Sequence, residues 1–177
     1  MSLKRNQLLN VILFIYVLIS ITVLYFDLGN TKVGLAFSTL VAKAVPSVLP
    51  TAAITQTPES SALILSFSWL LVVLSTLAMI LIANWKAIDY EAIYKRISWW
   101  VILGMYVGVP FLMASMMYFA PDSSGISNKF LSTNLKESKF FVILYGAGLW
   151  LSIAAGCFSI VLISVCIFKK FSKKGNL

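Results

Sequence analysis

The stretch FFVILYGAGLWLSIAAGCFSIVLISVCIF (residues 140–168) runs for 29 residues without Asp, Glu, Lys or Arg. A bilayer core about 30 Å thick is crossed by roughly 20 apolar residues in a helix, so this stretch is long enough to span it. Three further stretches, residues 8–26, 62–84 and 97–119, are also free of charge. Inside lipid the backbone hydrogen bonds must close within each segment, which favours helices. The sequence therefore predicts an all-α integral membrane protein, in which four transmembrane helices form one bundle and residues 1–177 form a single membrane domain.

The overall composition points the same way. Hydrophobic residues make up 60% of the 177 residues, charged residues make up 11%, and the mean hydropathy is +0.93. A soluble domain carries about 45–50% apolar and about 25% charged residues. A water-soluble core of this size cannot hide so much apolar surface, so a soluble enzyme and a disordered chain are both excluded.

The distribution of Lys and Arg predicts the orientation. With the N-terminus inside, the inner segments 1–7, 85–96 and 169–177 hold nine cations, whereas the longer outer segments 27–61 and 120–139 hold five. Cytoplasmic segments carry the excess of Lys and Arg, so both termini are predicted to be cytoplasmic. The net charge is +8, and the Lys and Arg side chains of the inner segments are expected to contact anionic lipid headgroups. Nucleic-acid binding is not expected, because no basic surface interleaved with aromatic residues lies outside the spans.

The long first outer segment has a helical pattern of its own. Its apolar residues recur at steps of three and four, which is typical of one helical face: Val33, Phe37, Leu40, Val41, Ala44 and Val48. Pro46 and Pro50 are expected to end this helix. We expect a short amphipathic helix on the outer membrane surface or against the bundle, as a packed cap or as a docking surface. A second short helix is expected near residues 129–135.

Small residues within the spans mark where helices can approach closely. Span three contains Gly104 and Gly108, and span four contains a row of small residues four apart, namely Gly148, Ser152 and Gly156. Such spacing lets two helix backbones approach where lipid gives no hydrophobic drive. The contact can form between spans three and four or with a helix of another protein, and both interpretations stay open.

Three local predictions concern span three and the inner segment before it. Pro110 lies in mid-span and should kink the helix, because it lacks a backbone N–H. Glu91 and Lys95 are spaced to form an i,i+4 ion pair. Indole rings prefer the headgroup level, so three tryptophans at helix ends are expected to anchor them there: Trp85, Trp99 and Trp100.

Reactive chemistry is sparse in this chain. The sequence has no histidine and only two cysteines, and it contains no Walker loop, CxxC pair or paired carboxylates. We therefore expect no enzyme activity, no metal and no cofactor. Ionisable groups inside spans usually mark ion or proton pathways, and the four spans have none. A binding function remains. The alternatives are a structural subunit of a larger envelope complex for secretion or conjugation and, less favoured, a small pore or transporter, including a homo-oligomeric pore.

Five segments of the chain carry a resemblance to a known family: KAVPS (43–47), TAAIT (51–55), KFLSTN (129–134), FFVILY (140–145) and FKKFSKKG (168–175). They resemble segments of the immunity proteins that protect bacteria against pore-forming bacteriocins of the colicin A and colicin B type. The chain is also similar to these proteins in size, in its four predicted spans, in its predicted cytoplasmic termini and in its basic charge. The resemblance implies a bacterial inner-membrane location.

The resemblance also implies a mechanism and a partner, the C-terminal pore-forming domain of a bacteriocin. That domain inserts a hydrophobic helical hairpin from the periplasm, and the immunity protein would bind the hairpin and keep the channel closed. Candidates for packing on the hairpin are the small residues of the spans: Gly104, Gly108, Gly148, Ser152 and Gly156. Candidates for selectivity lie in the outer segments: Phe37, Val41, Pro46, Lys129 and Asn134. Association with a second copy of the chain also stays open.

Overall fold

The structure, a computed structural model, describes residues 2–121 and 126–174. Within these residues every regular element is helical, which confirms the all-α prediction. The helices in chain order are α1 (Ser2–Tyr25), α2 (Lys32–Ala44), α3 (Val48–Ala53), α4 (Pro58–Ile82), α5 (Tyr90–Arg96), α6 (Trp99–Leu103), α7 (Val109–Tyr118), α8 (Ile126–Glu137) and α9 (Phe141–Lys174). A 3₁₀ turn covers Leu28–Asn30, and a π-helical segment, Gly104–Gly108, joins α6 to α7.

Among the described residues, three helical stretches are long and apolar enough to cross a membrane. They are Pro58–Ile82, Trp99–Tyr118 and Phe141–Lys170, and they match three of the predicted spans. The first predicted span lies in α1, which has 24 residues. Within α1 the stretch Asn10–Tyr25 is apolar. The fourth span and the orientation of the bundle therefore stay predictions.

The chain divides into two compact units. The first comprises Met1–Leu71 and Ser115–Trp150. Its central element is the first half of α4, where every residue from Ser60 to Trp69 except Phe67 is buried. A helix that is covered on all sides needs partners all round. Those partners include Tyr16 and Val23 of α1 and Val142, Ile143 and Trp150 of α9, which are all buried in the same core.

The second unit comprises Val72–Ala114 and Leu151–Leu177. In it the π-helical segment and α7 lie against α9. The Tyr106 and Ser164 hydroxyls share a hydrogen bond, and a Cβ built on Gly156 would lie 2.9 Å from Val109 Cγ1. Because the partner on α9 moves towards the C-terminus as the residue on span three moves towards the N-terminus, the two helices are antiparallel. Gly156 thus confirms close packing of span three on span four.

The first outer helix forms as predicted, but it turns a different face inward. Val33 and Leu40 are 79% and 64% exposed, whereas the small residues Gly34 and Ser38 are buried. A side chain on Gly34 would collide with the carbonyl oxygen of Leu28, so only a small residue can face that turn. Val33 and Leu40 therefore lie on a different side of α2 from its buried residues, and the apolar pattern left open which side would meet the bundle.

The two prolines of this outer segment also behave differently from each other. Helix α2 ends at Ala44, before Pro46, as predicted. Pro50, however, lies inside α3 (Val48–Ala53) and does not end a helix. It occupies the first turn of α3, where the missing N–H would have no intrahelical partner.

Span three departs from a regular α-helix close to its proline. The π-helical segment Gly104–Gly108 comes directly before Val109 and Pro110. Pro110 cannot donate to the carbonyl of Tyr106, so the regular i to i−4 ladder must change at this position. The widened π-helical turn is the form this change takes, and the kink itself stays a prediction.

Candidate functional site

An apolar groove of about 430 Å³ lies between α1, α2 and α4 in the first unit. Its walls come from all three helices and include Leu18, Thr22, Val33, Phe37, Leu63 and Phe67. The rings of Phe37 and Phe67 are 5.2 Å apart between centroids, at an angle of 34°. This contact fixes α2 over α4 and closes one side of the groove. Phe37 is the one selectivity candidate that lines it.

A polar contact below this groove holds three helices of the first unit together. The Tyr16 hydroxyl oxygen lies 3.0 Å from Ser68 Oγ, where either hydroxyl can be the donor, and 3.3 Å from the carbonyl oxygen of Ile143, which accepts when Tyr16 directs its single proton there. A side chain on Gly146 would collide with both hydroxyls. Gly146 therefore makes room for a hydrogen bond that joins α1, α4 and α9, and interhelical hydrogen bonds of this kind stabilise membrane helices.

Asp27 organises the turn at the end of α1. It has a left-handed backbone, with φ 48° and ψ 44°. Its carboxylate accepts hydrogen bonds from Ser60 Oγ at 2.7 Å and from the Asn30 side-chain amide. The hydrogen bond from Ser60 is the main reason that the pKa of the Asp27 carboxyl is lowered, followed by the Asn30 bond and the nearby charge of Lys139. The turn is thus tied to the start of α4.

The outer segment between α2 and α4 also holds the ends of α7 and α8. The last carbonyls of a helix have no partner within it. The Ser47 backbone N–H donates to the Met117 carbonyl at 2.9 Å, and its hydroxyl donates to the Met116 carbonyl at 2.6 Å. Gln56 Nε2 donates to the Glu137 carbonyl at 3.0 Å. The segment thus works as a packed cap, which is one of its two predicted roles.

The other selectivity candidates lie apart from the groove lining. Val41 is half-buried on α2, and Pro46 is exposed in the turn that follows. Lys129 is exposed on α8. The Asn134 side-chain amide donates to the Phe130 carbonyl at 2.8 Å, so its hydrogen-bonding capacity is partly used within its own helix. None of these four residues is among the lining residues of the groove that includes Phe37.

The small residues proposed to pack on the hairpin divide into positions with open space around them and positions already in contact with the chain. A Cβ on Gly104, Gly108 or Gly148 would meet no described atom within 4 Å, and Ser152 is exposed. Gly156, in contrast, is filled by Val109. Packing of span three on span four therefore uses Gly156 but not Gly104 or Gly108. The interpretation that Gly104 and Gly108 pack against span four is wrong. The open glycines are free to contact another helix.

The second unit carries a cluster of rings and cations near the predicted cytoplasmic end. Lys169 Nζ lies 3.8 Å from the centroid of the Tyr90 ring, and the Trp85 and Phe158 rings are 6.2 Å apart. Lys95 and Glu91 form the predicted ion pair at 2.9 Å, which raises the pKa of Lys95 mainly through the hydrogen bond to Glu91. The anionic lipid contact expected for the tail extends to Lys173 and Lys174, whose side chains lie outside the described residues.

Two of the predicted indole anchors are strongly exposed. Trp99 and Trp100 project from the first turn of α6, as amphipathic rings at a helix end are expected to do. Trp85 is half-buried, and its Nε1–H donates to the Ile80 carbonyl at 2.9 Å. Trp85 therefore also closes the end of α4, because it satisfies one of the last carbonyls of that helix.

Three glycines outside the row at four-residue spacing are structural. Gly29 packs against the backbone of Glu59 and Ser60, Gly34 packs against Leu28, and Gly146 packs against two side chains. Each of these three positions depends on a partner distant in the chain or on a tight turn, which spacing does not reveal.

Across residues 2–121 and 126–174, no group of three or more Cys, Asp and Glu is placed to hold a metal ion. No protein-family model, curated protein or solved structure matches the chain. The resemblance to immunity proteins is therefore carried by the sequence segments quoted above.

Proposed function

We propose that the chain is a bacterial inner-membrane immunity protein with four spans and cytoplasmic termini. It binds the hydrophobic hairpin that a pore-forming bacteriocin inserts into the membrane, and it keeps the channel from opening. Recognition of one apolar helix by another requires close backbone approach and shape, but no reactive side chain. The sequence and the fold both meet that requirement.

The observation that carries the proposal is the set of open glycines on the helices that can span a membrane. Gly104, Gly108 and Gly148 have room for a second helix backbone, while Gly146 and Gly156 are taken up by contacts within the chain. Small residues are enriched where membrane helices meet. A partner helix packed against the open positions would complete contacts that the described chain leaves unmade.

The test is protection of a sensitive bacterium that expresses the chain. The toxins are purified colicin A- and colicin B-type proteins and the product of any toxin gene found by sequencing the DNA that flanks this gene. We expect potassium efflux to be blocked for one pore-forming toxin. A bacteriocin that kills through a nuclease domain should remain lethal, because it leaves no pore hairpin to hold. Unchanged efflux for every pore-forming toxin, with the protein present in the membrane, would contradict the proposal.

Gly148→Leu gives the matched variant, because it adds bulk at an open position of α9. It should fold and abolish protection, whereas Ala155→Leu, at another exposed position of α9, should fold and protect. Copurification at fixed stoichiometry with envelope proteins, in the absence of toxin, would favour the structural subunit instead. Solute flux through purified protein in liposomes would favour the pore.

A further inference from the structure

The groove between α1, α2 and α4 offers no free polar group to a ligand. Two hydroxyl side chains line it, and both are already bonded within the protein. Thr22 Oγ1 donates to the Leu18 carbonyl at 2.9 Å. Thr31 Oγ1 donates to the Leu28 carbonyl at 2.7 Å and accepts from the Gly34 N–H at 3.1 Å. A ligand in the groove would therefore contact only apolar side chains, including the rings of Phe37 and Phe67.

The position of the groove indicates which kind of apolar molecule can enter it. Leu63 and Phe67 belong to α4, which is long and apolar enough to cross a membrane, and Leu18 and Thr22 belong to the predicted first span. Leu18 is 56% exposed, so the groove opens onto the outward face of α1. At this depth the surroundings are acyl chains and not water.

A positive charge lies next to one end of the groove in the chain. Lys32 is not itself a lining residue, but it lies between the lining residues Thr31 and Val33, at the first residue of α2, and it is exposed. This end follows the last turn of α1, where the chain leaves the predicted span. A lysine at that level attracts the phosphate of a lipid headgroup. The arrangement therefore matches an amphipathic molecule with a hydrocarbon chain and an anionic head.

We propose that this groove binds one phospholipid of the outer leaflet, with an acyl chain along Leu18, Thr22 and Phe67 and its phosphate at Lys32. The volume of about 430 Å³ falls within the range of about 300–1,000 Å³ of small-molecule sites. This inference rests on the membrane placement in the proposed function, but it does not depend on the bacteriocin. A bound lipid would join α2 to α1 and steady the outer segment.

The test uses the full chain in vesicles of phosphatidylethanolamine and phosphatidylglycerol that contain a phosphatidylglycerol with a diazirine on one acyl chain. After irradiation, mass spectrometry maps the labelled peptides. We expect label on residues 18–23 and 31–37 to exceed several-fold that on residues 11–15, which also face outward. Thr22→Trp should remove this excess by filling the groove, and Ile21→Trp, at an exposed α1 position outside the lining, should preserve it. Even labelling along α1 would overturn the proposal and leave the proposed function untouched.

The headgroup contact has its own matched pair. Lys32→Gln should lower about fivefold the amount of phosphatidylglycerol that stays bound to the purified chain in native mass spectrometry, since a lysine near the surface contributes about 1 kcal/mol to lipid attraction. Lys43→Gln, in the last turn of the same helix, should have no such effect. Equal losses for the two variants would overturn the assignment of Lys32. A chain that is washed from the vesicles by alkaline carbonate would overturn the membrane placement, and with it both proposals.

Discussion

Gly146 shows how one missing side chain supports an interhelical hydrogen bond. We predict that Gly146→Ala lowers the free energy of unfolding by about 1–3 kcal/mol, because its Cβ would collide with the Tyr16 and Ser68 hydroxyls and overpacked sites cost about that much. Thermal unfolding in detergent measures the change. Gly148→Ala is the control, because its Cβ meets no described atom within 4 Å and the higher helix propensity of alanine should keep or raise the midpoint. Equal midpoints for the two variants would contradict the role of Gly146.

Asp27 combines a left-handed backbone with two accepted hydrogen bonds. Asn tolerates this conformation better than Ala and retains an oxygen that accepts from Ser60. We therefore predict that Asp27→Ala unfolds at a lower temperature than Asp27→Asn. The reverse order in a thermal scan would show that neither the turn nor the Ser60 bond stabilises the protein.

The charge of Asp27 adds a pH dependence. Because the pKa of this carboxyl is lower in the folded protein, its contribution to stability is complete above the unfolded value of about 3.9 and is lost as the pH falls through the folded value. The stability difference between the wild-type chain and Asp27→Asn should therefore narrow below pH of about 4. A difference that stays constant from neutral to acidic pH would mean that the carboxylate charge has no role.

At the scale of the elements, the glycines of span three and α9 predict opposite outcomes for the same substitution. Gly108→Leu points into open space and should leave folding intact while it removes protection against the toxin. Gly156→Leu would meet Val109 and should destabilise the chain by about 1–3 kcal/mol. Membrane abundance and the unfolding midpoint measure folding of both variants, and potassium efflux measures protection. Loss of folding in Gly108→Leu would show that Gly108 is packed within the chain.

The elements also show where sequence reasoning succeeds and where it stops. The Glu91–Lys95 pair was predicted correctly, because it depends on residues within one turn. At Pro110 the missing N–H pointed to a departure from the regular helix, but its π-helical form was not predicted. The inward face of α2 could not be predicted, because periodicity identifies an apolar face but not the side on which the neighbours lie. The approach of Gly34 to the Leu28 carbonyl decides the orientation, and that contact depends on the turn around Asp27.

For the whole molecule, charge-free length predicted four spans, and three of them match helices of the described residues that are long and apolar enough to cross a membrane, because insertion in lipid depends on local composition. The candidate site was less accessible to sequence reasoning. Phe37 was singled out for its position in a loop, but its partner Phe67 and the groove they share arise from the packing of three helices. The prediction of cytoplasmic termini rests on Lys and Arg counts, so it requires a test of its own.

That test is cysteine labelling in intact cells, in a background with Cys157 and Cys166 replaced by Ala. We predict that a membrane-impermeant maleimide labels Ala53→Cys, which lies at the end of α3, and does not label Lys86→Cys until the cells are opened. Both positions are exposed in the structure. The opposite pattern would invert the topology, and labelling of both positions in intact cells would contradict a membrane crossing by α4, the helix that lies between them.

The buried serines of α4 bear on the order in which the protein is made. Ser66 donates to the Ala62 carbonyl at 2.7 Å, and Ser68 donates to the Ile64 carbonyl at 3.0 Å, so α4 satisfies these hydroxyls by itself. At about 5–20 residues per second, the ribosome needs seconds to synthesise the elements from α5 to α8 before α9 emerges. During that interval α1, with Tyr16, and α4 are already synthesised and can lie in the lipid. The contact at Gly146 then forms late in biogenesis, when α9 packs against the helices that were inserted before it.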